Sequence, residues 1–222
     1  EDFFPRIFDS SNILLTKVAF GIVSFGIFLN LMVTDTGAPS IASRNFYGAV
    51  KVRFQDQITV LMHGSTIHGF QSRSKEWQYA PSGYYVPSSG LGRAMIYEQS
   101  LRKGNGENSA LRAGIIGLGT GSIAAYCRPD LPAQAGDTFV YYEIDPRIVQ
   151  IARSNFSYLQ HCDGIDVRMG DGRLSLEQEL REGVNGRYDI LVLDAFTDDT
   201  IPVHLLTLEA VRMYASRVRS PQ

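Results

Sequence analysis

"LRAGIIGLGTGSIAAYCR", residues 111 to 128, is the stretch that decides the fold, because an apolar strand runs straight into a glycine-rich turn and then a helical run. Glycine permits the tight bend and lets a ligand approach the backbone, and the helix start beyond it offers unpaired N–H groups. The pattern GxGxG is weak on its own, since a plain tight turn between strand and helix also accounts for it. Neither the third glycine of GxGxxG nor a P-loop lysine is present.

The chain around this turn alternates strand-like and helical segments. "DTFVYYEID", "IDVRMGDG" and "RYDILVLDAF" are typical of strands, and "PRIVQIARSNF", "RLSLEQELRE" and "LLTLEAVRMYASRV" of helices. A further helix is expected near Leu91. This alternation predicts a Rossmann-like α/β domain over residues 90–222, with a doubly wound parallel sheet.

A small antiparallel β-unit and a loop are predicted over residues 44–89. Val50, Val52 and Phe54 alternate with polar residues, as in a half-buried strand, and the strand-like runs cover residues 46 to 72. A polar loop rich in Tyr, Pro, Ser and Gly follows.

The N-terminal segment, residues 1–43, contains an apolar stretch interrupted only by Lys17. Its uncharged part runs from Val18 to Val33, and the stretch predicts a transmembrane helix over about residues 13–33, since a span needs about 20 apolar residues. A buried amphipathic helix or a signal-anchor remnant is the alternative. Residues 34 to 43 turn to Thr, Gly, Pro and Ser, which predicts a linker.

Composition excludes some classes of function. A net charge of −2 without a basic stripe argues against a nucleic-acid partner. Cys127 and Cys162 are the only cysteines, far apart and outside any metal-binding spacing. We therefore expect two reduced thiols and no bound metal.

Carboxylates follow the second and third strands of the predicted sheet. Glu143 comes about 20 residues after the glycines, the spacing of a ribose ligand. Asp145, directly before Pro146, is expected mainly to cap the next helix. Asp171, within "GDGR", can accept from an adenine amine, or it can cap a turn or helix. Together these positions predict a nucleoside site at the carboxyl edge of the sheet.

Three more carboxylates follow the fourth strand. Asp194 ends "LVLD", and Asp198 and Asp199 come within the next five residues. A solvated acidic loop is the plain alternative. Next to a nucleoside site, however, the group fits a cationic substrate. Asp189, at the strand start, is expected to be structural.

The motifs "GLGTGSIAAY", "YYEIDP", "GDGR" and "DAFTDDTIPVHLLT", in this order, resemble the S-adenosylmethionine-type fold and the polyamine aminopropyltransferases of the spermidine synthase family. The likeness covers about residues 44 to 218. The chain is most similar to the bacterial branch in which such a domain follows transmembrane helices. Domains of this type add strands after residue 218, so a C-terminally incomplete sheet is expected.

The resemblance implies aminopropyl transfer from decarboxylated S-adenosylmethionine to an amine, as in polyamine biosynthesis. Asp194 would be catalytic, Asp199 would hold the far end of a polyamine, and Asp198 is a less certain neighbour. Tyr85 would line the acceptor pocket. The donor site implied by the motifs consists of Gln71, Gly117, Gly119, Gly121, Glu143, Asp171 and Gly172.

One position departs from the family pattern. Thr120 stands where the family carries an aspartate in the glycine loop, so one anchor for the aminopropyl ammonium is missing. Two alternatives therefore stay open: a methyltransferase that uses S-adenosylmethionine, and a non-catalytic module that binds a nucleoside or polyamine. A bacterial inner-membrane location with a cytoplasmic catalytic domain is expected, and a homodimer is a possible assembly.

Overall fold

The computed structural model describes residues 40–64, 66–104, 110–131, 136–184, 188–196 and 200–219. Residues 1–39, and with them the predicted membrane helix over residues 13–33, lie outside the described ranges. Within the ranges given, no helix is both long and apolar enough to cross a membrane.

A four-stranded antiparallel sheet forms the N-terminal part of the described chain. Its strands pair in chain order: β1 (Ser40–Asn45), β2 (Gly48–Phe54), β3 (Ile58–His63) and β4 (Thr66–Ser72). β1 begins within the stretch expected to be a linker, so that expectation is corrected for Ser40–Ser43. The polar side chains of this segment did not indicate a strand, because an edge strand needs only backbone pairing with one neighbour. The pairing runs from Ser40 opposite Arg53 to Asn45 opposite Gly48.

A four-stranded parallel sheet forms the C-terminal part. It contains β5 (Arg112–Ile116), β6 (Thr138–Glu143), β7 (Ile165–Met169) and β8 (Ile190–Leu193), in the order β7-β6-β5-β8. The helices are α1 (Gly90–Gly104), α2 (Pro146–Asn155), α3 (Gly172–Arg181) and α4 (Leu208–Arg217). The predicted helix near Leu91 and the mixed α/β, Rossmann-like architecture are thereby confirmed.

Both faces of the parallel sheet are covered, which follows from the two-residue period of a strand. Phe139 and Tyr141 of β6 belong to one buried cluster with Val149 of α2. Val140 and Tyr142 belong to the other, with Leu176 of α3. All six side chains are buried, so the sheet is a central layer with packed side chains on both faces. The carboxyl ends of its parallel strands meet at one edge.

Two local features differ from the sequence-based expectation. "SIAAY", expected to be helical, forms a 3-10 helix, Ser122–Tyr126. Cys127 ends it and forms a disulfide with Cys162, with a Cα–Cα distance of 6.3 Å. The expectation of reduced thiols is wrong, because a sequence separation of 35 residues says nothing about how the fold brings the two side chains together.

Candidate active site

A cavity of about 800 Å³ lies between the antiparallel sheet and the carboxyl ends of the parallel strands. The sequence-predicted residues that line it are Tyr85, Gly117, Gly119, Glu143, Asp171, Gly172 and Asp194. Crossovers in a parallel sheet bring loops from several strands to one edge, which is why positions so distant in sequence share one cavity.

The glycine turn is built around backbone contacts that exclude side chains. Gly117 has φ +98°, and a Cβ there would lie 2.4 Å from the carbonyl oxygen of Asp194. Glycine at this position lets β5 and β8 end side by side. The turn is then attached to β6, because the Leu118 N–H donates to Glu143 Oε2 at 3.0 Å.

Glu143 is a buried carboxylate with both oxygens engaged. Its Oε1 accepts from the Asp145 N–H at 2.8 Å, while its Oε2 accepts from Leu118. Burial raises the pKa of Glu143, and the backbone N–H groups partly oppose that rise. A carboxylate has about four acceptor sites, so Glu143 can organise the turn and still accept from a ligand hydroxyl.

Asp194 lies at the end of β8 and interacts with the loop before α1. The Tyr85 hydroxyl donates to Asp194 Oδ2 at 2.7 Å. Burial raises the pKa of Asp194 to about 6, and the hydrogen bond from Tyr85 lowers it. Burial and the neighbouring carboxylate raise the pKa of Tyr85 well above its usual value, so the phenol stays protonated. The pair therefore provides a base that titrates close to neutral pH.

Two further carboxylates cap helices. Asp145 accepts from the Arg147 N–H at 2.8 Å and from the Asn45 side chain at 2.6 Å, which confirms its expected capping role. Asp171 caps α3 through the Leu174 N–H at 2.9 Å. Both line the cavity as well.

Asp171 also contacts the segment that follows the acidic loop. Its Oδ2 lies 2.8 Å from His204 Nε2. Arg173, two residues further on, donates to the His204 carbonyl oxygen at 2.6 Å. An adenine amine at Asp171 would therefore donate to a carboxylate that already accepts from the Leu174 N–H and lies beside His204.

Gln71 and Gly121 are not among the described residues that line the cavity. The Gln71 amide donates to Ser157 Oγ at 2.9 Å and accepts from the Ser157 N–H at 2.9 Å, which joins β4 to the segment after α2. Gly121, with φ +81°, starts the 3-10 helix. Asp198 and Asp199 lie outside the described residues, and their roles stay predictions.

The β1–β2 turn and the β3–β4 hairpin were not assigned to the site from sequence. Phe46 and Tyr47 of the turn, and His63, Ile67 and His68 of the hairpin, line the cavity. Alternation predicts which face of a strand is buried, but it does not show which sheet covers the cavity. The two histidines, within six residues of each other, were the signal available in the sequence.

Thr120 is not among the described residues that line the cavity, and its side chain lies against Gly69 of the antiparallel sheet. It is buried, its Oγ1 has no hydrogen-bond partner within the described chain, and a Cβ on Gly69 would lie 2.8 Å from that atom. The Thr120 side chain therefore packs against β4.

Thr120→Asp is expected to lower the free energy of unfolding by about 2 kcal/mol or more, because it would bury an unpaired carboxylate against Gly69. Thr120→Val is the matched control, and removal of an unpaired hydroxyl should be neutral or stabilising. Urea unfolding of both variants measures the difference. Equal stability of the Asp variant and the wild type would contradict this packing.

Comparison with known proteins adds one partial likeness. Over 96 residues the chain is 40% identical to a polyamine aminopropyltransferase of Vibrio vulnificus (strain CMCP6). The match is to a transferase. It spans 43% of this chain but only 30% of that protein, so the chain matches less than a third of the relative's length. No protein-family model matches the chain. This partial identity supports a relationship to the polyamine aminopropyltransferase family.

Proposed function

We propose that the chain carries an aminopropyltransferase site that transfers the aminopropyl group of decarboxylated S-adenosylmethionine to an amine. The observation that carries the proposal is the Tyr85–Asp194 pair, which lies on the cavity wall beside Gly117. The partial identity to a polyamine aminopropyltransferase supports the same reaction class.

The reaction needs a base and a cavity in which the two substrates can be aligned, and the site would supply both. An amine with a pKa near 10 must lose a proton before its lone pair can attack the carbon next to the sulfonium. Asp194 would hold the ammonium and take that proton. The carbon–sulfur bond then breaks, its electron pair stays on sulfur, and 5′-methylthioadenosine leaves as a neutral thioether. No developing oxyanion needs stabilisation, so catalysis rests on alignment and on the carboxylate.

The charges of the cavity support the decarboxylated donor. Among its described lining residues there are four carboxylates, Glu143, Asp145, Asp171 and Asp194, and no lysine or arginine. S-Adenosylmethionine would bring its own carboxylate into this acidic surrounding. The decarboxylated form brings only positive charge, so it is electrostatically the better match.

Calorimetric titration with S-adenosylmethionine and with its decarboxylated form tests which donor the site prefers. We expect the decarboxylated donor to bind at least about 10-fold more tightly, which corresponds to about 1.4 kcal/mol. Asp171→Asn should weaken the binding of the decarboxylated donor. Preference for S-adenosylmethionine would contradict the proposal and would favour a methyltransferase.

Tyr85→Phe should move the acidic limb of the kcat/KM profile, which reports ionisations of the free enzyme. Asp194 is active as a base only in its ionised form, so activity rises with pH through a pKa of about 6 in the wild type. The Tyr85 hydrogen bond lowers that pKa, and its loss should shift the limb upward by about one pH unit. Tyr97→Phe, on the exposed surface of α1, is the control. If the acidic limb of the Tyr85→Phe profile does not shift, the ionisation that it reports is not that of Asp194, and Asp194 is not the base.

A further inference from the structure

We propose that Tyr126 is a positioning residue for the Tyr85–Asp194 pair. The neighbouring disulfide, Cys127–Cys162, holds the Tyr126 phenol in position. Neither the phenol nor the disulfide is among the described residues that line the large cavity, so both act on the base from behind its wall. The inference rests on the proposed aminopropyl transfer, because the pair is the base of that reaction.

The Tyr126 side chain contacts the backbone of Tyr85 directly. Its hydroxyl donates to the Tyr85 carbonyl oxygen, and the Tyr85 hydroxyl in turn donates to Asp194. Gly92 of α1 makes room for this contact, because a Cβ there would lie 2.6 Å from the Tyr126 hydroxyl oxygen and 2.2 Å from the Val86 carbonyl oxygen. Three segments therefore meet at one buried hydroxyl: the 3-10 helix after the glycine turn, the loop that carries Tyr85, and α1.

Two attachments fix the backbone around Tyr126. Its carbonyl oxygen accepts from the Gln99 side chain of α1 at 2.6 Å. The next residue, Cys127, ends the 3-10 helix and is bonded to Cys162 in the segment after α2. A disulfide confines its two Cα atoms to a narrow range of separations, here 6.3 Å. Tyr126 is thereby held against α1 on one side and against the segment after α2 on the other.

The position of Tyr85 affects the ionisation of Asp194. Burial raises the pKa of Asp194 and the Tyr85 hydrogen bond lowers it, so a displaced Tyr85 would leave that pKa higher. The other phenols that face the pair are those of Tyr84 and Tyr141. The described acids and imidazoles on the cavity wall are Glu143, Asp145, Asp171, His63, His68 and His204. Removal of the Tyr126 hydroxyl leaves all of these groups in place.

Tyr126→Phe removes only that hydroxyl and should move the acidic limb of the kcat/KM profile upward by about 0.5 pH unit. At about pH 5 this shift lowers kcat/KM about 3-fold, and well above the limb kcat/KM should change little. Tyr188→Phe is the matched control, because Tyr188 is a buried phenol of the other core cluster and hydrogen-bonds to Tyr142. An unshifted limb in Tyr126→Phe, or an equal shift in both variants, would overturn the positioning role.

Reduction of the disulfide tests whether it holds Tyr126. A dithiol such as dithiothreitol gives up two electrons and two protons, so the sulfur–sulfur bond is replaced by two protein thiols and the dithiol becomes a cyclic disulfide. Within the described chain Cys162 is half-buried and Cys127 is buried, so Cys162 is the sulfur open to attack. The reduced enzyme should show an upward shift of the acidic limb of about 0.5 pH unit.

The double variant Cys127→Ser, Cys162→Ser is the control for the reductant. It should show the shifted limb without dithiothreitol and should not respond when dithiothreitol is added. If reduction leaves the wild-type limb unshifted, or if the double variant responds to the dithiol as the wild type does, the holding role of the disulfide is overturned.

A carbon-13 NMR titration of the Asp194 carboxyl separates this inference from the proposed function, because it requires no turnover. The signal is assigned by its absence in Asp194→Asn. If no amine receives an aminopropyl group, the proposed transfer fails, and the titration still decides the positioning role. A higher pKa of Asp194 in Tyr126→Phe than in the wild type and Tyr188→Phe supports it. An equal or lower pKa in Tyr126→Phe overturns it.

Discussion

Asp194→Asn is expected to reduce kcat for aminopropyl transfer by about 10²- to 10⁴-fold, the usual contribution of a positioned general base. The amide is nearly isosteric and can still accept from the Tyr85 hydroxyl, so the loss should come from the missing charge and base. Single-turnover assays measure the step directly. Donor affinity should change little, because Glu143 and the glycine turn remain intact.

The same substitution should stabilise the fold at neutral pH. Burial raises the pKa of Asp194 from 3.8 to about 6, so folding takes up a proton between these values and stability falls as pH rises through that window. Asn removes this cost, on the order of 2–3 kcal/mol by the pKa difference. The stability gain should disappear below about pH 4, where Asp194 is protonated in both states. Full transfer activity in the variant, or an unchanged pH dependence of unfolding, would contradict the assigned role.

Glu179→Gln is expected to lower the free energy of unfolding by about 3–5 kcal/mol, because it leaves a buried cation without its carboxylate. Arg217, at the end of α4, is fully buried and pairs with Glu179 of α3. Glu179 also accepts from the Tyr142 hydroxyl at 2.7 Å and pairs with Arg168. This network joins β6, β7, α3 and α4 on one face of the parallel sheet.

Glu177→Gln is the matched control on the same helix. Glu177 pairs with Arg173 at 2.8 Å in a more solvent-accessible position, and such pairs contribute about 1 kcal/mol or less. Chemical denaturation of both variants at one pH compares them. Similar losses for the two would show that the buried network contributes no more than a surface ion pair.

The parallel sheet and the position of its carboxyl edge could be predicted from sequence because both depend on repeated local patterns. Apolar strands alternate with helical periods, and parallel strands bring their ends together. Gly117, Glu143, Asp171 and Asp194 consequently line one cavity, although they come from four strand ends. Asp145 before Pro146 predicted a helix cap for an equally local reason.

The features that sequence missed depend on long-range packing. Cys127 and Cys162 are separated in sequence by β6 and α2, so only the tertiary packing brings them together. The edge strand from Ser40 lacks apolar alternation strong enough to distinguish it from a linker. Two of the three hydrogen bonds of the Gln71 side chain reach Ser157, 86 residues away, and the third reaches the Gln78 carbonyl oxygen. Residue type alone could not decide whether that amide faces a ligand or the protein.

Mass spectrometry of a reaction with isotope-labelled decarboxylated S-adenosylmethionine and an amine tests the central claim most directly. We predict that the amine gains the labelled aminopropyl group, with one 5′-methylthioadenosine formed for each product molecule. The same reaction with Asp194→Asn should form neither product at a comparable rate. Two results would contradict the claim of aminopropyl transfer. In one, the amine gains a methyl group from S-adenosylmethionine; in the other, the decarboxylated donor binds and is recovered unchanged.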